Sequence, residues 1–137
     1  MESALSFQSE KKVSFDFDDS ATGKALYKII FGILREWDLS QKELAILIHR
    51  PPTTISEWRK KESIPVSKNL DMNDYQLIEF IELYKVLTNL FVSMNDRVSW
   101  LREPNEGLDG RSPLDLIEED PRNLHHIRNL MSKLANP

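Results

Sequence analysis

At 137 residues, 40% apolar and 29% charged, the chain can build one domain with a real core or two small helical modules. It has no cysteine, no apolar run of membrane-spanning length and no secretory opening at Met1-Glu2-Ser3, so disulfides, thiolate chemistry and a membrane are excluded and a cytoplasmic location is expected. Its net charge of −4 divides into −3 over residues 1–23, +4 over residues 24–70 and −5 over residues 71–137, a basic middle able to contact phosphate beside an acidic end that needs another partner.

Residues 1–21 are polar and lack helical periodicity. Val13, Phe15 and Phe17 alternate with Ser14, Asp16 and Asp18, which would suit a single strand. A lone strand is marginal, so a flexible arm is expected, with strand addition to a partner's sheet as the alternative. Residues 22–37 read as a helix, because Leu26, Ile29, Ile30, Ile33, Leu34 and Trp37 fall on one stripe.

Residues 39–61 carry the densest signal. Ser40 and Glu43 have the spacing of a capping box, and Leu44, Ala45, Leu47 and Ile48 form an apolar face behind it. Pro51 and Pro52 break the chain after His49-Arg50, and Thr53 or Thr54 can cap a second helix anchored by Ile55 and Trp58. Two short helices joined this tightly are the arrangement that sets one helix in the major groove of DNA. The outward positions are Thr53, Thr54, Ser56, Glu57, Lys60 and Lys61. A helix pair that merely packs is the alternative.

Ile64-Pro65-Val66-Ser67 reads as a linker. Asp71 or Asn73 can cap a long helix reaching about Phe91, and its broad apolar surface calls for covering by its own domain and by a second subunit. Short helices follow. Asn95 is placed to cap one that ends before Pro104, and Ser112-Pro113 and Asp120-Pro121 each put a capping side chain before a proline at the first helical position. Gly107 and Gly110 permit turns with positive φ, Asn105 can brace the loop and Leu108 can pin it to the core. In the last helix Leu124, Ile127, Leu130 and Leu134 are expected to point inward. The fold class is all-α: an arm (1–21), a helix-turn-helix domain (22–67) and a helical dimerisation or partner-binding domain (71–137).

Gln41, Ala45, His49, Ile55 and Trp58 resemble the helix-turn-helix of the Xre class of bacterial repressors, with His49 where glycine is usual. The resemblance places Gln41 beside the outward positions as a DNA-binding residue. The run Trp100-Leu101, Pro104-Asn105, Leu108, Gly110, Ser112-Pro113 and Leu116 is similar to the toxin-binding domain of the Xre/MbcA/ParS antitoxins. That resemblance implies a type II antitoxin that neutralises a toxin of the RES or a related NAD-consuming class and autorepresses its operon, acting as a homodimer or a larger complex. It also implies toxin contacts at Asn105, Leu108, Arg111, Arg128, Lys133, Leu134 and Asn136. NAD would belong to the toxin, and no cofactor is expected here. The chain departs from the family at Glu118-Glu119-Asp120-Pro121 and in a tail without glycine.

Two other classes compete. An ordinary Xre-type repressor would use the acidic half only to dimerise. An enzyme has little support, because His125 and His126 point about 100° apart on a helix and no nucleophile–base pair or glycine-rich phosphate loop accompanies them. His126 is expected in solvent, and His125 near Glu118-Glu119-Asp120.

Overall fold

Apolar residues spaced three and four apart, interrupted by prolines and left-handed caps, give seven α-helices in the computed structural model, which describes residues 20–65 and 69–136. They are α1 (Ser20–Glu36), α2 (Gln41–Ile48), α3 (Pro52–Lys61), α4 (Met72–Leu90), α5 (Met94–Arg102), α6 (Pro113–Glu119) and α7 (Asn123–Ala135), with one 3-10 turn at Glu106–Leu108. The expected all-α class is what the described residues adopt. None of their helices is long and apolar enough to cross a membrane. The arm and its alternating Val13, Phe15 and Phe17 lie outside the described residues.

The caps are local and follow the sequence closely. Ser40 Oγ accepts from Glu43 N–H and Glu43 Oε1 accepts from Ser40 N–H, both at 3.0 Å. Asp71 and Asp74 repeat the device at the start of α4, at 2.9 and 3.0 Å. His49 closes α2 at φ 54, in the left-handed region that glycine enters without a Cβ penalty. Ser112 caps α6, with Pro113 at the first helical position.

Other boundaries differ from expectation. Pro51 occupies the cap position of α3, so Thr53 and Thr54 lie within its first turn. Proline fits there because the first amides of a helix have no partner to lose. α5 begins at Met94 behind Ser93, ahead of the expected cap Asn95. α7 begins at Asn123, because Asp120 caps a turn instead, its Oδ1 accepting from Arg122 N–H at 3.0 Å. Of the two loop glycines only Gly110 has positive φ (75°), and Asp109 takes the neighbouring left-handed position (58°).

Ile64 belongs to the core and not to a linker. It is fully buried, and its N–H donates to Gly23 O at 3.1 Å. A Cβ on Gly23 would lie 2.9 Å from the Ile64 carbonyl oxygen, a backbone atom that cannot rotate away, so this close crossing needs glycine. The buried cluster runs without a break from Ile30 and Trp37 through Leu47, Ile55 and Phe80 to Leu101, Ile117 and Ile127. α4 is the central strut: α7 lies along it, and Trp37, just after α1, meets Phe80 and Tyr84 at ring-centroid distances of 6.0 and 5.4 Å.

Leu124, Ile127 and Met131 form the buried stripe of α7, whereas Leu130 and Leu134 are 46% and 60% exposed. Both leucines were expected inward. The stripe that α4 covers is too narrow to include them, and they sit on its flank.

Candidate nucleic-acid interface and apolar cleft

Two surfaces carry the residues singled out above. The first is the outer face of α2 and α3. Ile55 and Trp58 are buried and hold α3 against the core, leaving Thr53, Glu57, Arg59, Lys60 and Lys61 exposed and Thr54 and Ser56 partly so. Gln41 does not stand free. Its Nε2 donates to Ser56 Oγ at 3.2 Å and its Oε1 accepts from Arg59 Nη1 at 2.6 Å. Those bonds lock the start of α2 to the middle of α3, fixing the angle between the two helices. Arg59 also lies over the Phe31 ring, 5.7 Å from its centroid. Arg59 was missing from the sequence reading, although the basic run Arg59-Lys60-Lys61 at the helix end signals it.

The turn between the helices is braced from α4. Arg50 stacks on Trp58 at 5.5 Å and pairs with Asp74 at 3.7 Å. Gln76 Nε2 donates to Leu47 O at 3.2 Å and to Pro121 O at 2.9 Å, joining the end of α2 to the turn before α7.

The second surface is a cleft of about 300 Å³ between the 105–108 loop and α7. Phe91, Trp100, Leu108, Ile127, Leu130, Met131 and Leu134 line it, with Asn105 and Gly107 at its polar edge. The loop wall is rigid. Asn105 Oδ1 accepts from Gly107 N–H at 2.7 Å, and Asn105 O accepts from both Leu108 N–H and Gly110 N–H at 2.9 Å. An isolated antiparallel bridge joins Asn105 to Arg111. The expected bracing by Asn105 is therefore present.

Of the expected toxin contacts, the cleft brings together Asn105, Leu108 and Leu134. The others lie apart. Arg111 pairs with Glu119 at 3.4 Å, Lys133 is exposed, and Asn136 is exposed beyond α7 with its Nδ2 donating to Ser132 O at 3.5 Å. Arg128 is committed to Glu79 of α4, with its Nε 2.7 Å from Oε1, and it also donates to Ser132 Oγ at 3.4 Å. His125 Nδ1 lies 2.7 Å from Glu79 Oε2, so its partner is Glu79 and not the Glu118–Asp120 cluster. His126 is exposed, as expected. Burial raises the Glu79 carboxyl, but the hydrogen bonds from Arg128 and His125 outweigh it and hold the group below the ordinary glutamate value. Among the described residues, no group of three or more His, Asp or Glu side chains is placed to hold a metal ion.

Comparison with known proteins gives these surfaces a context. Residues 86–135 match the family model described as the antitoxin Xre/MbcA/ParS C-terminal toxin-binding domain. Every cleft residue falls within that span. The uncharacterized protein y4oB of Sinorhizobium fredii (strain NBRC 101917 / NGR234) is 28% identical over 100 residues, covering 72% of this chain and 74% of the relative. The crystal structure of the M. tuberculosis MbcT-MbcA toxin-antitoxin complex contains a chain that superposes with a TM-score of 0.58 at 20% identity. That match covers 80% of this chain and 93% of the other, and it is a likeness of fold.

Proposed function

We propose that this chain, whose residues 86–135 match the family model of the Xre/MbcA/ParS toxin-binding domain, is the antitoxin of a type II toxin–antitoxin pair. Residues 71–137 clamp the toxin, and the α2–α3 pair within residues 22–67 binds the operon's own promoter and represses it. The observation that carries the toxin half is the cleft. Leu130 and Leu134 expose apolar surface beside a rigid loop, all inside the matched span. Because each leucine is already about half covered, burying the rest is worth about 1–1.5 kcal/mol apiece, and the two together suit the anchor of a protein partner. The likeness of the Trp100–Leu116 segment to its family supports a toxin of the RES or a related NAD-consuming class, with NAD bound by the toxin.

The promoter half is supported by the outward α3 face, the basic run at its end and the charge of +4 over residues 24–70. Tyr75 and Ile78, exposed on one side of α4, support a homodimer through that side. Co-expression with the product of the adjacent gene tests the function. That product alone should arrest growth, this chain should restore it, and Leu130→Glu with Leu134→Glu should abolish the rescue. A harmless neighbour, with promoter binding intact, would instead support an ordinary Xre-type repressor.

A further inference from the structure

Arg102 ends α5, two residues after the cleft-lining Trp100 and three before Asn105. Its guanidinium reaches back across the molecule to the helix pair. Nε donates to Glu43 Oε2 at 2.9 Å, and Nη2 donates to Glu43 Oε1 at 2.9 Å and to the Asp38 carbonyl at 2.8 Å. These two anchor points bracket Gln41. Asp38 is left-handed at φ 51, a conformation open to aspartate at a modest cost, and the bond from Arg102 to its carbonyl helps hold it there. Glu43 completes the cap on Ser40. Between them, Gln41 props Ser56 and Arg59 on α3.

We propose that Arg102 is a positioning residue for the nucleic-acid face: it fixes the Asp38–Glu43 turn and, through Gln41, the pose of α3. The helix pair is then complete only when the toxin-binding segment is folded beside it. The inference rests on reading α2–α3 as a DNA-binding pair. A bidentate guanidinium–carboxylate fork suits this task because it restrains both direction and distance, which an ammonium cannot do. The hydrogen bonds from Arg102 also hold the Glu43 carboxyl below its ordinary value, so it stays ionised and neutralised beside the helix that would approach phosphate.

The test titrates the full chain, and its Arg102→Met and Arg102→Lys variants, against a duplex of the promoter upstream of its own gene and a scrambled duplex. Far-ultraviolet circular dichroism checks folding, and binding to the neighbouring gene's product is followed in parallel. Arg102→Met should weaken promoter binding by at least about threefold and at most about tenfold, since the worth of the lost charge-assisted bond caps what its loss can cost the α3 pose. Arg102→Lys keeps the charge without the fork and should remain about threefold weak or more. Scrambled-duplex and toxin binding should stay unchanged for both. Full affinity in Arg102→Lys would overturn positioning in favour of simple charge neutralisation. Should Arg102→Met fail to fold, Arg102→Lys decides by the same criterion. Wild-type affinity in both variants also refutes the role of Arg102 while leaving promoter binding intact. Failure of the wild-type chain to bind the promoter removes the DNA reading first, and this inference with it.

Discussion

At the scale of single residues, the left-handed caps are the clearest trade-off. His49 sits at φ 54 where glycine would sit without a Cβ penalty. His49→Gly should therefore raise the unfolding free energy by about 0.5–1 kcal/mol, net of glycine's greater freedom in the unfolded chain. His49→Ala should not share that gain, because alanine keeps the clash. Ser40→Ala should cost about 1 kcal/mol by opening the capping box. Urea unfolding of the three variants, with Cm and slope both fitted, checks these values. Such positions could be read from the sequence because a cap involves residues three apart. The Arg102–Glu43 fork could not, since it joins residues 59 apart and neither side chain announces its partner. His125 was misassigned for the same reason: an acidic cluster lay nearby in sequence, but Glu79, 46 residues away, is its neighbour in space.

At the scale of elements, α4 and α7 are joined by apolar packing and by the Glu79–Arg128–His125 cluster. Because the Glu79 carboxyl is depressed in the folded chain, its contribution to stability is present above the ordinary glutamate value of about 4.3. It is lost as pH falls through the lower folded value. Glu79→Gln should thus be less stable than wild type at neutral pH, with the gap closing below about pH 4 in a pH series of urea unfolding. A gap independent of pH would mean that the cluster contributes packing alone. On α3, Lys60→Ala and Lys61→Ala should each flatten the salt dependence of promoter affinity by about 0.9 log unit per decade if each touches a phosphate. Unchanged slopes would mean that the basic end points away from the DNA. Helix identities were legible here because a stripe at 3.6-residue spacing survives in the sequence. Which side of the stripe another helix covers was not, and Leu130 and Leu134 were misjudged because nothing local shows how narrow the α4 contact is.

For the whole molecule, the buried cluster runs from α1 to α7 without interruption, and Gln76 and Arg102 tie α2 to the segments around the cleft. Cutting the chain at residue 120 would remove Leu124, Ile127 and Met131 from that core. Such a truncation should lose much of its helical circular dichroism and its promoter binding together, instead of losing toxin binding alone. Point changes in the exposed cleft leucines avoid that collapse and separate folding from recognition.

The most direct measurement is light scattering after size-exclusion chromatography of the purified chain mixed with the neighbouring gene's product. The wild-type chain should form a discrete complex with it, and the folded Leu130→Glu, Leu134→Glu double variant should elute apart from it. A complex that survives the double variant, or a wild-type chain that never associates, would contradict the assignment of the cleft as the toxin clamp.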